Sequence, residues 1–126
     1  AEGIRESGSK STVKVLNLAK TDKNDVITEI FKSHTVLVGS PTIGRGVTHA
    51  TAGMLEMIEG MQFKKKKAAA FGCYGWSGEA VKRISAWLEK AGFEMLNDGI
   101  RLMWNPDDEG VTECRDFGKK LCCNEN

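Results

Sequence analysis

The chain has 126 residues, and its 18 basic and 17 acidic side chains leave a formal net charge of +1. This length suits one domain with its own core, and the balanced charge gives no electrostatic case for binding nucleic acid or an anionic membrane. No stretch approaches the roughly 18 apolar residues of a membrane-spanning helix. We therefore expect one domain over residues 1–126, soluble and cytoplasmic, that binds neither nucleic acid nor membrane.

The first third of the chain reads as the end of a helix, a strand and a second helix. Residues 1–8 are typical of the last turns of a helix, because glycine is favoured just past a helix end and Gly8 stands there. Thr12–Leu18 alternates apolar and polar residues, which predicts a strand near a sheet edge. Asp22 or Asn24 would cap the next helix, whose apolar face comprises Ile27, Ile30 and Phe31.

The rest of the chain repeats a strand-helix alternation. Short apolar runs predict buried strands at Thr35–Val38 and Ala68–Phe71, and alternation predicts an edge strand from Ile100 to Trp104. Helical spacing joins Val47, Ala50, Met54, Ile58 and Met61 in one helix, and Val81, Ile84, Leu88 and the core residue Trp87 in the next. Ser77 would cap that second helix and Gly92 would end it. A final helix starts near Pro106 with an inner face of Cys114, Phe117 and Leu121.

This order predicts an α/β fold with a parallel sheet and helices on both faces. The carboxyl ends of parallel strands share one edge of the sheet, where ligands of such folds bind. Two glycine-rich loops meet there: Gly39–Gly46, and the aromatic loop Gly72–Gly78, which carries Tyr74 and Trp76. Together they predict a ligand cleft.

The cysteines and histidines show no metal-binding spacing. None of the four cysteines (Cys73, Cys114, Cys122 and Cys123) forms a C-x-x-C pair, and the chain has only two histidines. We expect reduced thiols, with no metal ligand and no catalytic residue in this chain.

The two loops resemble those of the flavodoxin-like domain of flavodiiron proteins, also called A-type flavoproteins, and especially the flavorubredoxin branch. Val38–Thr42, Ala70–Ala80 and Ala91–Met95 carry the likeness, which extends across essentially the whole chain. The resemblance implies a three-layer flavodoxin-like fold with strand order 2-1-3-4-5. Its first strand and the phosphate loop have no counterpart here, since residues 1–8 match the end of the first helix; we expect them upstream of Ala1.

In that family the domain binds FMN noncovalently. The resemblance places ten residues around its ring, on two sides: Ser40, Pro41, Thr42 and Ile43 on one, and Gly72, Cys73, Tyr74, Gly75, Trp76 and Ser77 on the other. Where the family often has asparagines, this chain has Gly44-Arg45. No phosphate-anchoring residue is implied.

The implied function is electron transfer in an oxygen or nitric oxide reductase. Electrons would come from a rubredoxin-like or reductase partner and leave to a diiron, metallo-beta-lactamase-like domain of the same or a neighbouring subunit, in a homo-oligomer. This chain alone lacks that diiron site. An FMN-dependent NAD(P)H:quinone reductase is the alternative, whereas a receiver domain is disfavoured because no aspartate ends the Thr35–Val38 strand.

Overall fold

The computed structural model describes residues 1–123. They form two compact units, residues 1–16 with the segment from residue 105 onward, and residues 17–104. The first unit contains two helices, α1 (Glu2–Glu6) and α5 (Asp108–Cys123). The second contains α2 (Lys23–Lys32), β1 (Thr35–Pro41), α3 (His49–Met61), β2 (Lys67–Tyr74), α4 (Ala80–Lys90), β3 (Glu94–Met95) and β4 (Ile100–Met103).

The sheet of the second unit is parallel throughout, which confirms the predicted fold class. One edge of β2 pairs with β1, and its other edge pairs with β3 at the start and with β4 at the end. The helices α3 and α4 contact each other, so both crossovers lie on one face. The largest fully buried side chains are Leu55, Ile58, Ile84 and Leu88, which come from these two helices.

Three local predictions for this unit agree with the structure. Asp22 is the residue that caps α2, where its carboxylate accepts the N–H of Asn24 at 2.8 Å. Ala68, Ala69 and Ala70 are fully buried in β2, as the apolar run predicted. Gly92 ends the α4 segment with a φ of +99°, a backbone conformation that residues with a side chain rarely adopt.

Thr12–Leu18 forms no strand within the described part of the chain, so that prediction is wrong. The alternation that suggested it fixes only which side chains share a face, whereas a strand exists only when its backbone pairs with a neighbour. Among residues 1–123 no ladder includes this segment.

The first unit is built on close backbone packing between α1 and α5. Gly3 lies so close to the Arg115 carbonyl that a side-chain carbon there would overlap it, and Gly118 lies against the start of α1. The Arg115 guanidinium donates to Glu2 and to Glu6, both at 2.8 Å. The inner face of α5 is therefore Gly110, Gly118 and Leu121.

Several predicted core positions are wrong, among them Phe31 and Met61, whose side chains are 58% and 42% exposed. Cys114 is exposed on α5, because the glycines rather than the larger side chains face α1. Trp87 is only half-buried, since its indole N–H donates to the Glu59 carboxylate at 2.6 Å and so stays near the surface.

Among the helices of residues 1–123, none combines the length and the apolar character needed to cross a bilayer.

Candidate functional site

The carboxyl ends of β1 and β2 lie side by side, which brings the two predicted loops together. Pro41 pairs with Cys73 in the last position of the ladder. Immediately beyond it, the Thr42 N–H donates to the Cys73 carbonyl at 2.8 Å. Cys73 therefore serves this site through its backbone, and the predicted aromatic loop begins inside β2, which runs through Tyr74.

Thr42 also links the β1 loop to the start of α4. Its hydroxyl oxygen accepts the N–H of Ala80 at 3.2 Å, although the two residues are 38 positions apart. The N-cap residue of α4 is Glu79, whose side chain makes no capping bond, so the sequence prediction that Ser77 caps this helix is wrong. The cap comes from the neighbouring loop instead.

Ser40 supports the β1 loop from within. It is 5% exposed, its hydroxyl donates to the Pro41 carbonyl at 2.8 Å, and the same oxygen accepts the N–H of Thr48 at 3.0 Å. Because both bonds are internal, this side chain holds the loop's shape. Gly72 also supports this loop, because it lets β2 approach the Ser40 carbonyl so closely that a side-chain carbon at Gly72 would overlap it.

Beyond Thr42 the chain makes a tight turn that carries an arginine. Ile43 and Gly46 exchange backbone hydrogen bonds of 3.1 and 2.9 Å, and between them Gly44 and Arg45 have φ values of 54° and 62°. The Arg83 guanidinium of α4 donates to the Arg45 carbonyl at 3.2 Å. The turn is thus held from α4 as well as from its own backbone.

The opposite loop is held by two residues of the last strand region. Arg101 of β4 lies 5.4 Å from the Tyr74 ring centre and donates to the Gly78 carbonyl at 3.1 Å. The Trp104 ring lies against Gly75, where a side-chain carbon would come within 2.9 Å of it. Gly75 is therefore required for this close approach.

Between the two loops lies an open cleft of about 220 Å³, lined by Thr42, Gly44, Arg45, Trp76 and Ser77. Large apolar side chains are exposed here: Trp76 at 95% and Ile43 at 59% on these loops, and Trp104 at 70% against Gly75. Exposed apolar groups clustered at one place are typical of binding surfaces.

The structure thus brings Thr42, Trp76 and Ser77 of the ten predicted site residues to the cleft wall. Ile43 and Gly75 lie in the turns that form it, and Ser40, Pro41, Gly72, Cys73 and Tyr74 lie in the two strands that support it. Sequence reasoning missed Arg101 and Trp104, and gave Gly44 and Arg45 no site role. The one local signal in the sequence was Gly44, because glycine favours tight turns, and the structure gives it a φ of 54°.

The donors at this cleft suit an electron-rich ring edge. Within residues 1–123 the backbone N–H groups of Gly44, Arg45, Trp76 and Ser77 have no hydrogen-bond acceptor. A planar ring with carbonyl oxygens, such as the isoalloxazine of FMN, would supply acceptors to such N–H groups and an apolar face to Trp76. The residues present fit that cofactor.

One carboxylate lies next to the cleft. A hydrogen bond from the Ser77 side chain lowers the pKa of Glu79; Arg45 and Arg101 lower it further by their charge, against the opposing effect of burial. Among the described residues no His, Cys, Asp or Glu side chains group in threes or more to hold a metal ion.

Comparison with protein families decides the classification, because the flavodoxin family model matches residues 1–118. The chain belongs to the flavodoxin family. Flavodoxin domains bind FMN, in agreement with the predicted cofactor.

Curated relatives of the chain carry the name anaerobic nitric oxide reductase flavorubredoxin. The chain is 46% identical over 121 residues to the anaerobic nitric oxide reductase flavorubredoxin of Vibrio vulnificus. This alignment covers 96% of this chain and 24% of that protein. The counterpart from Aeromonas hydrophila is 43% identical with the same coverage. This flavodoxin domain thus spans about a quarter of the length of the curated relatives it matches.

Solved structures agree. The rubredoxin oxygen:oxidoreductase of Desulfovibrio gigas superposes with a TM-score of 0.90 at 30% identity, over 97% of this chain and 30% of that one. The flavodiiron protein of Giardia intestinalis gives a TM-score of 0.87 at 27% identity, over 98% of this chain and 30% of that one. The predicted resemblance to flavodiiron proteins is confirmed.

Proposed function

We propose that this flavodoxin domain holds FMN in the cleft between the Thr42–Gly46 and Tyr74–Gly78 loops and transfers electrons within a flavodiiron-type oxygen or nitric oxide reductase. The observation that carries the proposal is the cleft itself: an exposed tryptophan and four unpaired N–H groups lie at the carboxyl edge of a flavodoxin-family sheet. The similarity to flavorubredoxin over 96% of the chain supports the reductase assignment.

The cleft residues divide into binding and supporting groups. Trp76 and Tyr74 would flank the ring, while Ile43 and the backbone of Pro41, Thr42, Gly75 and Ser77 would border it. Ser40, Gly72 and Cys73 would act through the strand ends that they shape. When bound, FMN supplies the electron-carrying chemistry; the protein binds and orients the ring and keeps one edge open.

The partners follow from the relatives' names and from the family. A rubredoxin-like protein or a reductase would donate electrons, and a diiron, metallo-beta-lactamase-like domain of the same or a neighbouring subunit would accept them, in a cytoplasmic homo-oligomer. Two relatives have rubredoxin in their names, which supports the donor, and a similar structure is named a flavodiiron protein, which supports the diiron acceptor.

A visible absorption spectrum tests FMN binding directly. The purified protein, mixed with FMN and freed of excess, should show the absorption bands of a bound flavin. A protein that retains no flavin under these conditions would overturn the proposal.

Replacing Trp76 with Ala tests the site. Loss of a stacking aromatic costs about 1 to 3 kcal/mol, so the dissociation constant for FMN should rise roughly 5- to 150-fold. The matched control is Phe31→Ala, because Phe31 is also an exposed aromatic but lies at the end of α2, where the chain enters β1. Fluorescence titration of FMN measures both variants. Equal affinities for Trp76→Ala and the unmodified protein would remove Trp76 from the site.

A further inference from the structure

Trp104 has a backbone conformation that a tryptophan rarely adopts. Its φ is +56°, in the left-handed region where a side chain crowds the following carbonyl group. Four non-glycine residues of the described chain have a positive φ, and two of them belong to the cleft region: Arg45 in the wall, and Trp104 against the aromatic loop. Strained residues cluster at functional sites and persist only where the surrounding structure holds them. The strain at Trp104 must therefore be offset by its contacts.

Two contacts hold Trp104, and both are made with the aromatic loop. Its backbone N–H donates to the Tyr74 carbonyl at 2.8 Å, just beyond the last pair of the β2–β4 ladder. Its indole lies on Gly75, where a side-chain carbon would meet three atoms of this ring at 2.9, 3.0 and 3.2 Å. An asparagine or a glycine would adopt the same φ with less strain. What tryptophan adds at this position is therefore the ring on Gly75.

This ring lies directly beside the residue that we expect to stack on the flavin. Trp76 follows Gly75 and is 95% exposed, so its own packing is too slight to fix its direction, which depends on the backbone on either side. Arg101 fixes the end of the loop by its hydrogen bond to Gly78, and Trp104 fixes the start at Gly75. A loop that is already fixed loses less conformational freedom when a ligand binds.

We propose that Trp104 is a positioning residue for FMN: its strained backbone places the indole on Gly75, and this contact fixes the direction of Trp76 toward the flavin ring. The inference rests on the proposed function and deepens it by naming a residue outside the two loops that prepares the stacking residue. Trp104 acts through Gly75 and needs no contact with the flavin. Tryptophan at this position thus favours FMN affinity at the expense of backbone strain.

Trp104→Asn removes the ring and relieves the strain in one change. Fluorescence titration should show a dissociation constant for FMN raised roughly three- to ten-fold, because the loop must then be ordered on binding. The urea midpoint of the FMN-free protein should stay within about 0.3 M of the unmodified value, because relief of strain offsets the loss of an indole that was 70% exposed. Trp104→Phe keeps a ring on Gly75 and should restore most of the affinity. A midpoint that falls together with the affinity would show that Trp104 only stabilises the fold, which overturns the proposal.

Gly75→Ala displaces the indole while Trp104 itself stays unchanged. The φ of Gly75 is not positive, so alanine suits its backbone, and the obstacle is the Trp104 ring. This change should also raise the dissociation constant for FMN roughly three- to ten-fold, but by less than about two-fold once Trp104→Asn has removed the ring. Additive effects of the two changes would show that they act independently and would contradict positioning through Gly75.

Lys65→Asn is the matched control. Lys65 is exposed with a φ of +63°, in the turn before β2 at the other end of the sheet. Its replacement relieves the same kind of strain and should leave FMN affinity unchanged; a loss like that of Trp104→Asn would contradict the proposal. If the unmodified protein shows no flavin bands, the proposed function is wrong and this inference with it. If FMN binds the unmodified protein and Trp104→Asn equally well, FMN binding stands and only positioning by Trp104 is overturned.

Discussion

Replacing Thr42 with Val would test whether one hydroxyl joins the two loops of the cleft. Valine keeps the shape of threonine but cannot accept the Ala80 N–H, now 3.2 Å from the hydroxyl oxygen. Ala80 is fully buried, so water has no access to that N–H. An unpaired buried donor costs about 1 to 3 kcal/mol, and loss of a helix cap costs about 0.5 to 2 kcal/mol. We expect the free energy of unfolding to fall by about 1 to 2 kcal/mol.

Urea unfolding of the FMN-free protein measures this change. With a slope of about 2 kcal/mol per molar urea, the midpoint should drop by about 0.5 to 1 M while the slope stays constant. Thr42→Ser keeps the hydroxyl and should lie close to the unmodified protein. A Val variant with an unchanged midpoint would show that the 3.2 Å contact does not hold the loops together.

Two further predictions concern packing and pH. Gly3→Ala should destabilise the α1–α5 unit by about 1 to 3 kcal/mol because its new methyl group overlaps the Arg115 carbonyl; Gly60→Ala, in open space on α3, should instead stabilise by about 0.5 to 1 kcal/mol. Thermal unfolding compares the two, and equal shifts would contradict the packing. Hydrogen bonds from Lys90 and Trp87 lower the pKa of Glu59 in the folded protein. The charged Glu59 therefore contributes fully to the free energy of unfolding above the ordinary pKa of 4.5, and this contribution is lost as pH falls through the lowered pKa. Glu59→Gln should flatten that part of a stability-against-pH curve, and an unchanged curve would refute the assignment.

The sequence alone was enough to predict the alternating order of the sheet unit and the position of its cleft. Both rest on local signals: the buried run Ala68–Ala70, the helical spacing that led to Ile58 and Ile84, and glycines at strand ends. Such patterns involve only residues that are close in the sequence. Burial of the apolar face then selects the register, because a shifted register would expose the core.

The contacts that shape the cleft could not be predicted this way. Thr42 caps a helix 38 residues away, Arg83 holds a turn 38 residues earlier, and Arg101 holds one 23 residues earlier. Ser77 is a good capping residue by type and stands near the right place, yet the cap comes from Thr42 in the loop that follows β1. Local preference decides such a position only when no tertiary partner competes for it.

The segment Thr12–Leu18 shows that a strand, like a helix cap, depends on a tertiary partner that the local sequence does not reveal. Its alternation is as regular as that of β4, which does form a strand, so pattern alone does not separate the two. The difference is a partner: Ile100–Met103 pairs with Phe71–Tyr74 of β2, whereas no ladder within residues 1–123 includes Thr12–Leu18. The edge of β1 that faces away from β2 likewise has no strand beside it in the described chain. A pattern therefore predicts which residues can form a strand, whereas a paired neighbouring backbone decides whether they do.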